Sequence, residues 1–348
     1  MHAHIKYRRK DGGPFFSNQN QSVFYFLILT LFWGMPQSRA QISPGAINVA
    51  CEDLKSVYLN SNERIKAINS FINLVRIPGA SGQEKNIRLA IKALMEKCGA
   101  REQVLNKKTI QAPENLLMVI PASPGMESKP GLMLNAHMDT IAESSPANLR
   151  FNKKDSEFYH LYDKDKERVS SFGGDDRTGV ACLTECIQIL QKNYWSKGVK
   201  HRKIILLFTA DEERGLIGAK YLAKYHTDIF DNLEWNITMD GPLDFRVKYP
   251  EYSIVAVLAD SDRERKPYRK TLEITRDYCR RTSQKLALTR LGLGMGDFAA
   301  FPEKAKAGLH FRSPVRGLHS NEKVKLQDLI NHIDLFCHIL LEWDSVVD

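Results

Sequence analysis

The chain reads as an α/β protein: a three-layer α/β/α sandwich around a mostly parallel mixed sheet, in a single domain. Three observations lead there. Short apolar runs of four to eight residues recur after about residue 60. Each is bounded by polar or turn residues, as strands buried on both faces are. Segments with apolar residues at helical spacing lie between several of these runs, and this alternation is the pattern that lays helices over a parallel sheet.

The elements follow in order. "NERIKAINSFINLVRI" puts Ile65, Ile68, Phe71, Ile72 and Val75 on one helical face. "SGQEKNIRLAIKALMEKCG" predicts a second helix, with a capping box of Ser81 and Glu84 and Gly99 as its stop. Strands are expected at 115–120, 131–136, 203–210, 235–239 and 252–259, and helices at 178–193, 215–226, 267–282 and 326–343. The highly charged stretch 152–171 reads as a solvated excursion or a hairpin. There are no internal repeats and no low-complexity linker.

The N-terminus stands apart. Lys6, Arg8, Arg9 and Lys10 precede "VFYFLILTLFW", Val23 to Trp33. As a helix that run is about 16 Å long at roughly 1.5 Å per residue, too short for a bilayer core of about 30 Å. It suits the apolar centre of a secretory signal, with Ser38 and Ala40 as the small residues before a cut after Ala40. Residues 1–40 are therefore expected to be a signal peptide and 41–348 the working domain. Export to a periplasm or the exterior follows, without stable membrane insertion after cleavage. The alternative is an uncleaved N-terminal anchor.

Composition excludes several classes. Of 348 residues 43% are hydrophobic and 26% charged, which is ordinary for a globular chain. Taking five Lys/Arg and one Asp away with the signal leaves 45 basic against 40 acidic residues, a net +5. No basic run is interleaved with aromatics, so nucleic acid is not an expected partner. The six cysteines show no CxxC spacing, and Cys182 and Cys186 share one face of a helix, as core residues do.

Functional groups in open α/β sheets gather at the carboxyl ends of strands. Here "GLMLNA" is followed by His137 and Asp139, "KIILLFTA" by Asp211, Glu212 and Glu213, and "WNITM" by Asp240. Gly173–Gly174 lead into Asp175 and Asp176, and "RGLHS" carries His319. Singly, each has an ordinary explanation: a surface histidine, an acidic first turn, a helix cap. Together the acids would repel one another and suffer desolvation. A positive partner must sit among them, and imidazoles with carboxylate oxygens are zinc-type ligands.

From Arg76 to His319 the chain resembles the co-catalytic zinc exopeptidases, the clan of peptidase T, carboxypeptidase-G-type enzymes, leucyl aminopeptidases and succinyl-diaminopimelate desuccinylases. The stretches "RIPGASGQE", "LNAHMDT", "GGDDRTGVA", "TADEERGLIGAKYL", "ITMDG", "GMGDFAAF" and "GLHSNEKV" carry the likeness. The resemblance implies two divalent metal ions, zinc by default, with cobalt or manganese as alternatives. It implies that Asp175 bridges them, that His137 and Asp240 complete one site, and that Glu213 and His319 complete the other. Asp139 would accept a hydrogen bond from His137, and Glu212 would be the general base. Asp176 would cap the helix or support the turn, and Asp297 would cap the helix after the Gly-rich loop.

Many relatives insert a lid of roughly a hundred residues. Here 53 residues separate Asp240 from Gly294 and 35 separate Asp139 from Asp175, so a catalytic domain without a lid is expected. Arg312 or Arg316 could bind a substrate carboxylate, or be solvated loop charges. The implied activity is an exopeptidase, in the first place an aminopeptidase. The alternatives are a carboxypeptidase or an N-acyl amino acid deacylase on the same site. The full residue set argues against a one-zinc glutaminyl cyclase and against an inactive receptor-like domain.

Overall fold

The pleat of a strand sends successive side chains to opposite faces, and the central strands here are buried on both. In the computed structural model, residues 48 and 50–345 are described, apart from 107, 110–111, 143, 145–148, 161–170, 244–251, 259–265, 291–295, 302–308, 318 and 320–321. The expected signal segment 1–40 lies outside the described residues. Those described fall within one compact unit, Ala40–Asp348. No described helix is long and apolar enough to cross a membrane.

The sheet strands are β1 (Arg101–Glu102), β2 (Leu116–Ile120), β3 (Gly131–His137), β6 (Ile204–Thr209), β7 (Leu233–Pro242), β8 (Ile254–Leu258), β9 (Leu286–Arg290) and β10 (His310–Ser313). They run in the order β1-β2-β6-β3-β7-β10-β8-β9. The central pairings β6–β3, β3–β7 and β7–β10 are parallel, as is β8–β9; β1–β2, β2–β6 and β10–β8 are antiparallel. The sheet is thus mixed and mostly parallel, as expected.

Alternation divides the core. Leu132, Leu134, Leu206, Phe208, Ile237 and Met239 join one apolar cluster; Met133, Ile205 and Leu207 join another on the opposite face. The first cluster is completed by helices α1 (Ser61–Val75), α2 (Lys85–Glu96), α3 (Gly174–Asn193), α5 (Lys266–Thr282) and α7 (Leu326–Glu342). The second holds Ala219 and Leu222 of α4 (Ile217–Tyr225) and Phe301, which follows the short α6 (Gly296–Ala300). Trp235 of β7 meets Trp343 edge-on at 5.2 Å, locking the end of α7 to the sheet.

A second, three-stranded sheet runs β11-β5-β4, from β4 (Leu149–Asn152), β5 (Glu157–His160) and β11 (Lys323–Lys325). The charged stretch therefore opens as a hairpin, and its remainder, 161–170, lies outside the described residues. Phe158 of β5 is fully buried against Phe71 of α1 at 5.5 Å. Cutting it to alanine should cost about 3–5 kcal/mol.

One helix start differs from expectation. Ser81 does not cap α2, whose N-cap position is Glu84 without a side-chain cap bond. Ser81 instead donates to Asp139 Oδ2 at 2.7 Å, and Glu84 Oε1 accepts from the N–H groups of Gly82 and Asp211. The same four-residue pattern does form a capping box one helix earlier, between Asn60 and Glu63. The pattern alone cannot say which hydroxyl the site will recruit. All six cysteines are free and buried.

Candidate metal centre

The parallel strands β3 and β7 lie side by side, and their carboxyl ends present His137 and Asp240 to one point. His137 is buried, with Nδ1 3.1 Å from the main-chain carbonyl of Asp139. That carbonyl accepts the Nδ1 proton, so the ring turns its other nitrogen inward. His137 Nε2 stands 3.5 Å from Asp175 Oδ1 and 3.5 Å from Asp240 Oδ1. On the far side of Asp175, His319 Nε2 lies 3.6 Å from Oδ2 and 2.8 Å from Glu213 Oε1. The two oxygens of one carboxylate thus face two different imidazoles.

Asp175 holds this place through its turn. Gly173 has φ +85°, which only glycine adopts without strain. The first residues of α3 depart from helical geometry at Asp175 and Asp176, and the peptide between them is cis. Asp176 Oδ1 accepts from Gly179 N–H at 3.0 Å and also from Ser313 Oγ, so Asp176 caps the regular part of α3 and ties it to β10.

Asp139 organises the opposite wall. Its Oδ1 accepts from Glu212 N–H at 3.0 Å, and its Oδ2 from Glu213 N–H at 3.1 Å and from Ser81. With its oxygens so engaged, the carboxylate stands 3.4 Å from His137 Nδ1 and leaves the shorter contact to its own carbonyl. The turn it grips is strained: Asp211 and Leu216 both have φ near +60° (55° and 61°), costly for residues with a Cβ.

Electrostatics mark the cluster. Burial pulls the His319 imidazole down, but Asp175 and Glu213 outweigh it and push it up to about 10. Burial likewise opposes charge on His137, yet Glu212 and the three aspartates hold it well above its ordinary value. Glu212 is pushed up to about 10 by burial first and then by Asp240, and Glu213 is raised chiefly by burial. Asp175 is depressed: burial opposes this, and the two histidines prevail. Without cations, the cluster makes up its charge with protons.

The donor set fits divalent ions. His137, Asp175 and Asp240 each offer one atom within 4.8 Å of the others, as do Asp175, Glu213 and His319, and also His137, Glu212 and Glu213. His137 Nε2, Asp175 Oδ1, Glu213 Oε1 and His319 Nε2 are buried without a hydrogen-bond partner. Buried ligand atoms left without a hydrogen bond around one shared carboxylate suit a cation site.

All seven residues expected from the sequence meet here. Other expectations change. Asp297 lies within α6 rather than capping it, and its Oδ2 accepts from Thr209 Oγ1; burial raises its carboxyl to about 7. Arg312 is buried with Nη1 3.5 Å from the Asp240 carbonyl, and Arg316 joins the Tyr252 carbonyl to Asp328, so neither is a solvated loop charge. Sequence reading missed Arg177, which is fully buried and donates to the carbonyls of Met138, Ile77 and Gly79. It also missed Glu322, within the quoted "GLHSNEKV", whose buried carboxylate accepts N–H bonds from the 172–174 turn.

The fold and the clustered histidine and carboxylate groups fit a metallopeptidase of the exopeptidase class. The model of Peptidase family M28 matches residues 115–334, well over half of the chain, and the chain belongs to that family. No curated protein matches it in sequence. Among solved structures it is similar to the aminopeptidase PepT from Bacillus cereus, at 14% identity and a TM-score of 0.60, covering 80% of this chain and 98% of that one. A tripeptidase from Staphylococcus aureus matches at 15% identity and TM-score 0.61, covering 83% and 100%. The LapA aminopeptidase of Legionella pneumophila matches at 15% identity and TM-score 0.55, covering 97% and 83%.

Proposed function

We propose that this protein is an aminopeptidase that uses two divalent ions, zinc in the first instance with cobalt or manganese as substitutes, to release residues from the N-terminus of peptides. One observation carries the reading: Asp175 presents its two oxygens to two separate triads, His137–Asp175–Asp240 and Asp175–Glu213–His319. A carboxylate shared in this way suits a pair of ions. The likeness to solved aminopeptidases and a tripeptidase supports peptides as substrates.

Ions held there supply Lewis acidity toward the scissile carbonyl and make an attacking water acidic near neutral pH. The chain's own residues do the rest. Glu212 takes the proton of the attacking water and passes it to the leaving amine. Burial and Asp240 raise its affinity for a proton, and cations beside it would keep it ionised and able to accept one. Asp139 holds Glu212 and Glu213 by their main-chain N–H groups, and so sets the base against His137. Residues 41–348 form the catalytic domain, and 1–40 are removed on export.

The test is metal analysis with a chelator-sensitive assay on aminoacyl-nitroanilides and dipeptides. About two ions per chain and hydrolysis of free-amine substrates are expected. Activity confined to N-acetyl amino acids would replace the reading with a deacylase. Sequencing of the exported protein should begin at Gln41.

A further inference from the structure

Glu322 stands outside every role assigned so far. It is wholly buried, which disfavours its charged form, and main-chain donors offset part of that cost. Oε2 accepts from the N–H groups of Phe172 at 3.0 Å, Gly173 at 3.1 Å and Gly174 at 2.9 Å, and Oε1 lies 3.5 Å from Asp175 N–H. Successive N–H groups at the start of a 20-residue helix form a concavity suited to an anion. Here the chain supplies that anion itself.

The same short segment carries His319, three residues earlier, with φ +53°. Arg316 N–H donates to the Lys323 carbonyl at 2.8 Å, and Lys323 N–H returns the bond at 2.9 Å. Beyond it, β11 pairs with β5. The Asp175 turn is thus held at its backbone by Glu322 and met at its side chain by His319.

We propose that Glu322 is a positioning residue for the Asp175–Glu213–His319 ion site: it locks the 172–175 turn to the loop bearing His319 and so sets the gap between Asp175 Oδ2 and His319 Nε2. The inference rests on the two-ion reading above. The other site shares Asp175, but its remaining groups, His137 and Asp240, come from the ends of adjacent parallel strands and are held without the clamp. Loss of the clamp should therefore separate the two sites.

The full chain, stripped of metal, is titrated with Co²⁺, following its visible absorption and competition with a chromogenic chelator. Wild type should show two binding steps. In Glu322→Ala the first should hold within about threefold and the second weaken by about 10–100-fold, the usual scale for a residue supporting a ligand. His319→Ala should weaken the same step, and the double variant should weaken it no further, since both act through one site. A general structural lesion would move both steps and add in the double variant. Should Glu322→Ala not fold, Glu322→Gln keeps one acceptor oxygen and should weaken the same step by a smaller factor. An unchanged second step, or equal weakening of both, overturns the role of Glu322 while the two-ion reading stands. A wild-type protein that binds no ion, or only one, takes both down.

Discussion

Asp139→Asn tests whether Asp139 holds the Glu212–Glu213 turn or acts only in the chemistry. The carboxylate accepts three hydrogen bonds, from the N–H groups of Glu212 and Glu213 and from the Ser81 hydroxyl. An asparagine offers one oxygen. Ser81 can rotate to accept from the amide, but one of the two N–H groups must then confront an NH₂. One charge-assisted bond is lost and one donor is orphaned, which together cost about 2–4 kcal/mol. Removing an acid from a carboxylate-rich rim would stabilise it if that acid were uncompensated. The Asp139 carboxyl argues otherwise: burial raises it, but His137, Ser81 and the Glu212 N–H outweigh burial and hold it below its ordinary value. The fold favours its charged form. In a chelator at neutral pH, the melting temperature should fall by about 4–12 °C, at about 2–3 °C per kcal/mol for a domain of this size. If the metal-free variant melts within about 1 °C of wild type, the turn is not held by Asp139 and the reasoning fails.

Three further outcomes are expected. Glu212→Gln should keep its metal and its fold yet lose about 10²–10⁴ in kcat; near-wild-type turnover would remove Glu212 as the base. In the metal-free protein, burial and Asp240 push the Glu212 carboxyl up to about 10, and Asp175 and Glu213 overcome burial to push the His319 imidazole up to about 10. Raised folded values give stability that is present at low pH and lost as pH climbs toward 10. Melting in chelator should therefore fall from pH 6.5 to 10, and a flat or rising profile would contradict the charge assignment. Gly296 has φ +64° and packs so closely on Asp240 that a Cβ there would collide with Oδ2. Gly296→Ala should therefore lower metal content, read by elemental analysis against an unchanged far-ultraviolet spectrum.

Much of the site was legible because its groups follow apolar runs. His137, Glu212, Glu213 and Asp240 each come directly after a strand core, where a reader of sequence looks first. The supporting residues were hidden for a physical reason. Glu322 and the turn it holds are about 150 residues apart in the chain, and Ser313 reaches Asp176 across 137; no local spacing encodes such pairs. Strand β10 was missed because its sequence, His310–Ser313, looks like loop. Its polar residues are nonetheless buried, with His310 Nε2 3.1 Å from the Asp240 carbonyl and Arg312 beside it. A central strand can be this polar when its side chains serve a neighbour's backbone. The Gly-rich stretch at 294–301 was noticed, but only the packing of Gly296 against Asp240 explains it.

The six free thiols have a counterpart in the metal centre. Bound ions would draw together residues as distant as His137 and His319, closing long stretches of chain as a removable staple, in a protein that has no covalent bridge among its cysteines. Loops of that length cost little more to close than short ones, and an ion at a thousand times its dissociation constant adds about 4 kcal/mol by mass action. Mineral scarcity would then shorten the protein's lifetime as well as slow its turnover.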